Sequence, residues 1–385
     1  MTAPLVDRVR ERLASTGGEI TASVVAAAVR AEAGGVVSDV DVLAALRLLA
    51  QEFTGAGPLE PLLRDPRTTD VLVTAPDAVW VDRGNGLVRT EVRFSDEAAV
   101  RRLAQRLALA AGRRLDDASP YVDARLPDSG VRLHAVLAPI AADGTCLSLR
   151  TLRPAAHDLA ALRRLGTLDD DSWKLLRAIV AARLAFLIAG GTASGKTTLL
   201  SAMLGAVPAG ERVLCVEDAE ELRPAHPHVV RLVARPPNIE GAGQVTLRDL
   251  VRQALRMRPD RLVIGEVRGA EVCDLLAALN TGHEGGAGTV HANSTGEVPA
   301  RLEALAALGG MSRDALHSQL AAAVQVVLHM SRADAGVRKL AAVAVLGRDG
   351  GEVTARPVWD CRIGWLAARA RLGELLEQRS VRPPW

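Results

Sequence analysis

The sequence predicts an α/β protein whose second half is a phosphate-loop nucleotide-binding domain. A mixed α/β domain and a short helical segment precede it. Three observations carry this prediction. A run of the form G-x-x-x-x-G-K-T begins at Gly190. The apolar stretch Leu184–Ala189 leads into it as a buried parallel strand should, and Thr198–Leu204 follows as a helix. Further on, the apolar run Leu262–Ile264 delivers an acid, Glu266, at the end of a second core strand. The divisions expected are a helical segment over 1–54, an α/β domain over 55–153, a linker over 154–170 and the phosphate-loop domain over 171–385.

The loop itself is Gly190, Gly191, Thr192, Ala193, Ser194, Gly195, Lys196, Thr197 and Thr198. A strand, a glycine-rich turn and a helix N-terminus gather backbone N–H groups around an anion, and the helix dipole favours negative charge there. The chain has only three lysines (Lys174, Lys196 and Lys339) among its 47 basic residues. One of them stands where a compact ammonium is required and a planar guanidinium is no equivalent.

Composition limits the function classes. At 385 residues there is ample chain for two or three cores. A net charge of +2 gives no basic field for nucleic acid, and with 2% aromatic residues the platforms on which bases stack are scarce. The four cysteines, Cys146, Cys215, Cys273 and Cys361, form no C-x-x-C pair and no zinc spacing. The first residues are charged at Asp7, Arg8, Arg10, Glu11 and Arg12, with no apolar stretch behind them. The longest apolar region, near the phosphate loop, is interrupted by Arg183. The expectation is a cytoplasmic protein without an integral membrane segment, able to dock on a membrane complex.

Along the chain, Val24, Val25, Ala28 and Val29 recur at helical spacing, as do Val40, Leu43, Ala44, Leu46 and Leu49. After the break at Gly55–Pro58, Val71–Val73 and Val79–Val81 read as strands around a Pro76-Asp77 turn, and Arg83–Gly86 reads as a hairpin. Residues 98–111 form an amphipathic helix. Residues 121–126, 131–136 and 146–150 are strands, and they carry Arg125, Arg132 and Arg150. Those arginines are either solvated edge charges or reach a phosphate at an interface.

Past the loop helix, residues 212–216 form a strand that ends in Glu217-Asp218, at the edge where open α/β sheets bind ligands. A helix over 245–258 aligns Arg248, Arg252 and Arg256 on one side. The strand bearing Glu266 is expected beside the loop strand, with its carboxylate near Mg²⁺. The glycine-rich segment 280–294 holds His283 and His291 and is a candidate nucleotide sensor. Helices at 296–308 and 312–323, strands at 324–329 and 340–346, and a basic helix over 362–379 complete the chain.

Taken together these segments resemble the secretion ATPase superfamily of type II and type IV secretion, and within it the Tad/Flp pilus-assembly branch, also labelled conjugal-transfer-associated. The resemblance spans about residues 55–330. It rests on Val122–Asp128, Gly190–Thr198, Val216–Leu222, Arg235–Gly241, Ala254–Arg261, Ile264–Gly269 and Thr289–Ser294. It implies a PAS-like N-terminal domain and a RecA-like ATPase domain, assembled as a hexameric ring. Carried over residue by residue, it makes Glu217 the Asp-box acid that positions the attacking water, Glu266 the Walker B acid and His291 the γ-phosphate sensor. It places arginine fingers among Arg125, Arg132 and Arg150. ATP is the implied substrate, with Mg²⁺ held by Thr197 and Glu266. The implied partner is an inner-membrane platform protein of a pilus or secretion system, met at the cytoplasmic face. The tetracysteine zinc site of many type II relatives is missing. A ring scaffold with little turnover and a DNA-translocating conjugation ATPase stay open as alternatives.

Overall fold

In the computed structural model the residues described are 8–9, 12, 22–32, 55–84, 86–127, 129–151, 157–238, 241–332 and 337–385. They fall into two compact units, Met1–Arg153 and Pro154–Trp385.

The first unit is built on six strands: β1 (Asp70–Ala75), β2 (Ala78–Asp82), β3 (Leu87–Arg89), β4 (Tyr121–Arg125), β5 (Arg132–Val136) and β6 (Cys146–Arg150). Their order is β3-β2-β1-β6-β5-β4, with every neighbour antiparallel. Period-two alternation buries Val71 and Val73 of β1 and Leu147 and Leu149 of β6 on one face. The helix Glu97–Ala110 packs Val100, Leu103 and Leu107 into the same core. Asp96 caps it by accepting from the Ala99 N–H at 2.7 Å. Near the N-terminus a helix runs Ala22–Glu32 and buries Ala28 and Val29. The second helical pattern, Val40 to Leu49, lies outside the described residues.

The second unit is a sheet of nine strands: β7 (Phe186–Gly190), β8 (Val213–Glu217), β9 (Val229–Val233), β10 (Arg261–Val267), β11 (Ala287–Val290), β12 (Val326–Arg332), β13 (Arg338–Asp349), β14 (Glu352–Asp360) and β15 (Gly364–Trp365). The order is β15-β14-β13-β12-β7-β11-β10-β8-β9. From β12 to β9 the strands are parallel, and β13, β14 and β15 add antiparallel hairpins. Strand β7 shows why a continuous apolar run was required. Phe186 and Ile188 enter one core, and Leu187 and Ala189 enter the other.

Two expectations change. The strand that carries Glu266, β10, does not neighbour the loop strand, because β11 lies between them. The basic helix expected over 362–379 is confined to Arg369–Glu377, and the strand β14 precedes it. Arg356 and Pro357 break the apolar pattern of β14, and the pairing with β13 shifts register at Ala344–Pro357. The segment expected to link the domains holds the helix Leu159–Arg164, and Leu159, Leu162 and Leu168 are buried in the core of the second unit. All four cysteines are free.

Candidate functional site

Strand β7 ends at Gly190, and the helix Lys196–Gly205 starts directly after Gly195. The turn between them needs glycine for two reasons. Gly190 has φ 153°, and a Cβ there would lie 2.5 Å from the Met330 carbonyl oxygen. Gly195 has φ 97°. Ala193 takes the left-handed region at φ 58° although it is not glycine, which is local strain held by its surroundings. Ser194 Oγ donates to the Gly191 carbonyl at 2.9 Å and ties the turn across. Gly191, Thr192 and Ala193 are exposed, so the outer face of the loop is open to an anion.

Lys196 is buried, with its Nζ donating to the carbonyls of Gly190 and Gly191 at 2.9 Å each. Burial pushes its pKa down, and the charges of Glu266 and Glu221 oppose that shift. The neighbouring Thr197 hydroxyl donates to Glu221 Oε2 at 3.3 Å. Glu221 therefore stands beside the loop, an acid that the sequence did not single out as a site residue.

Glu217 ends β8 and is 2% exposed. Its Oε1 accepts from the N–H groups of Glu221 at 3.0 Å and Leu222 at 2.8 Å. Its Oε2 is buried without a hydrogen-bond partner. Burial raises its pKa to about 7, against the lowering effect of those two N–H groups. A carboxyl held this way fixes the turn from which Glu221 projects. Gly265 on β10 makes room for it, since a Cβ there would sit 2.8 Å from Glu217 Cγ.

Glu266 stands at the ligand edge of β10, and both its oxygens are engaged. Oε1 lies 2.5 Å from His291 Nε2, and Oε2 lies 2.5 Å from a terminal nitrogen of Arg268. Arg268 also pairs with Asp218 at 3.0 Å. The ends of strands β8, β10 and β11 thus join Asp218, Arg268, Glu266 and His291 in one run of polar contacts, and Glu266 and Arg268 lie close enough to act on the charge of Lys196. Glu271 shapes the turn after β10 by accepting from the N–H groups of Arg268 at 2.6 Å and Gly269 at 2.8 Å. The second histidine of the glycine-rich segment, His283, sits on the Ala278 carbonyl at 3.1 Å and takes no part. Of the arginine stripe, Arg248 and Arg252 pair with Asp274 at 2.6 and 3.4 Å.

In the first unit, the three arginines singled out in the sequence form one row. Arg125 is the register partner of Arg132, and Arg132 of Arg150. Arg132 pairs with Asp123 at 2.6 Å and Arg150 with Asp70 at 2.9 Å. Among the described residues, no group of three or more His, Cys, Asp or Glu is arranged to hold a metal by itself, and no helix is long and apolar enough to cross a membrane.

The parallel sheet with its glycine loop, buried lysine and acids at the strand ends defines a P-loop nucleotide-binding protein of RecA-like fold. A family model for type II/IV secretion system proteins matches residues 52–381, and the chain belongs to that family. It is 66% identical over 349 residues to a Mycobacterium tuberculosis protein named for conjugal transfer, covering 89% of this chain and 99% of that one. It is 35% identical over 269 residues to the type IV secretion system protein PtlH of Bordetella pertussis, covering 63% and 78% of the two chains. Among solved structures, the pilus retraction motor PilT with bound ADP has the same fold. Its TM-score is 0.53 at 20% identity, covering 84% of this chain and 87% of that one.

Proposed function

We propose that this protein is an ATP-hydrolysing motor of a type II/IV-like secretion or pilus-assembly system. The observation that carries the reading is the convergence of Glu221 and Glu266 on Lys196 and Thr197 at the mouth of one phosphate loop. A loop that only binds phosphate has no need of carboxylates beside its lysine. Hydrolysis needs one to orient water.

Lys196 and the N–H groups of the loop and first helical turn hold the β- and γ-phosphates. Glu221 orients the water, and Glu217 holds Glu221 in place from beneath. His291, bonded to Glu266, reports loss of the γ-phosphate to the rest of its loop. The donor set suits Mg²⁺, which the Thr197 hydroxyl and the Glu266 carboxylate, both hard oxygen ligands, would hold. Bound there, the ion would neutralise charge on the transferring phosphoryl group.

The row Arg125, Arg132 and Arg150 supports a ring in which a neighbouring subunit adds positive charge to the site, as the resemblance to hexameric secretion ATPases implies. Nucleotide turnover would then drive a membrane platform protein at the cytoplasmic face and export pilin or another protein. The test is phosphate release by the assembled ring with its membrane partner. Wild-type turnover well above that of Lys196→Ala is expected. Equal rates would leave a nucleotide-gated scaffold instead, and salt-sensitive stimulation by DNA would favour a translocase.

A further inference from the structure

Strand β10 does not run regularly against β11. Val263 and Ile264 pair with Ala287 and Gly288, but the next pair is Val267 with Val290. Two residues of β10, Gly265 and Glu266, therefore stand opposite one of β11, Thr289. That is a β-bulge, a feature rare between parallel strands and common beside active sites, where it re-aims a side chain.

The cores on the two faces of the sheet show what the bulge does. Val263 lies in one core and Ile264 in the other, as alternation requires. Val267 lies on the side of Ile264, three residues on, where an unbroken strand would place it on the side of Val263. The same unbroken strand would turn Glu266 to the side of Ile264. The phosphate-loop helix is on the opposite side, with Leu199, Leu200 and Met203 in the core of Val263. With the extra residue, the Glu266 carboxylate reaches His291 Nε2 at 2.5 Å and lies close enough to act on the charge of Lys196.

Thr289 ties the bulge to the neighbouring strand. It is 1% exposed, and its hydroxyl donates to the Gly265 carbonyl at 2.7 Å. A bulge takes backbone groups out of the ladder, and a buried carbonyl without a donor is unfavourable. Valine has the shape of threonine and lacks only this donor.

We infer that Thr289 is a positioning residue for the hydrolytic site: its hydroxyl pins the bulge that turns Glu266 toward the phosphate loop. The inference rests on the reading of Glu266 as an acid of that site.

The experiment compares Thr289→Val and Thr289→Ser with the wild type in the full chain. Thermal melts check folding, and Thr289→Ala gives the same comparison should the valine variant not fold. Long-range proton–nitrogen NMR spectra of the nucleotide-free protein read the His291 ring, identified by its loss in His291→Ala. Thr289→Val should move the Nε2 signal in the same direction as Glu266→Gln does, and Thr289→Ser should leave it near the wild-type position. In phosphate release, Thr289→Val should lower turnover about tenfold, the usual loss when a group behind a ligating carboxylate is removed, with the dissociation constant for ATP unchanged. Thr289→Ser should recover most of that loss. Added to Glu266→Gln, Thr289→Val should lower turnover no further, because it acts through the same carboxylate. An unmoved His291 signal, equal losses in the valine and serine variants, or losses that multiply with those of Glu266→Gln would each overturn the inference. Wild-type turnover no faster than that of Lys196→Ala would instead overturn the reading on which it rests, while the spectra still report whether Thr289 holds Glu266.

Discussion

His291 Nε2 lies 2.5 Å from Glu266 Oε1 across two neighbouring strand ends, with Arg268 on the other carboxylate oxygen. A carboxylate held from both sides keeps one orientation toward Lys196, and any change at His291 is felt at Glu266. Charge-assisted bonds of this kind are stronger than neutral ones. Glu266→Gln should therefore keep ATP binding while lowering turnover by on the order of a hundredfold. Filter binding and phosphate release on the same preparation check it. His291→Ala should lower turnover less and leave the affinity for ATP intact, because the histidine orients the carboxylate and does not replace it.

Glu221 and Glu217 can be separated by their surroundings. Glu221 faces the Thr197 hydroxyl, whereas Glu217 is sealed beneath the turn. If Glu221 orients the water, Glu221→Gln should cost at least about a hundredfold in turnover. Glu217→Gln keeps an acceptor for the two N–H groups and should cost much less. Steady-state rates for the two variants decide it, and a reversed order would return the water to Glu217.

The buried Glu217 also predicts how stability varies with pH. Its pKa rises from 4.5 in the ordinary carboxyl to about 7 in the fold. Between those values the folded state binds more protons than the unfolded state, so stability falls as pH rises through that window. The penalty is fully developed above pH ~7 and amounts to about 3 kcal/mol. Glu217→Gln has no charge to bury. Relative to wild type it should gain stability by about that amount between pH 4.5 and pH 8, read from urea midpoints at the two ends.

Much of this site was legible in the sequence because its chemistry sits on short, regular patterns. The loop needs glycines and a lysine at fixed spacing, and lysine is otherwise nearly absent from the chain. Glu266 stood out because an apolar run carried it. Three things were hidden. The acids Glu217, Asp218, Glu220 and Glu221 crowd one turn, and only the fold decides which oxygen turns inward. The position of β11 between β7 and β10 depends on strand order, which local patterns do not encode. The alignment of Arg125, Arg132 and Arg150 in one row is a matter of register across three strands.

Gly265 offers a test of how closely strand β10 and the Glu217 turn depend on each other. It carries no side chain, and the space in front of it is filled by Glu217, whose Cγ would lie 2.8 Å and whose Oε1 would lie 3.2 Å from an added Cβ. Glu217 cannot retreat easily, because Oε1 anchors the N–H groups of Glu221 and Leu222. Gly265→Ala should therefore displace the turn that presents Glu221 and destabilise the fold by about 1–3 kcal/mol, the usual cost of overpacking a core. Gly265→Ala combined with Glu217→Ala removes the clash and should recover part of that stability without recovering turnover, since the support beneath Glu221 is then gone. Thermal melts and phosphate release on the single and double variants measure the two effects separately. Additive losses in stability would mean that the two residues do not share this space.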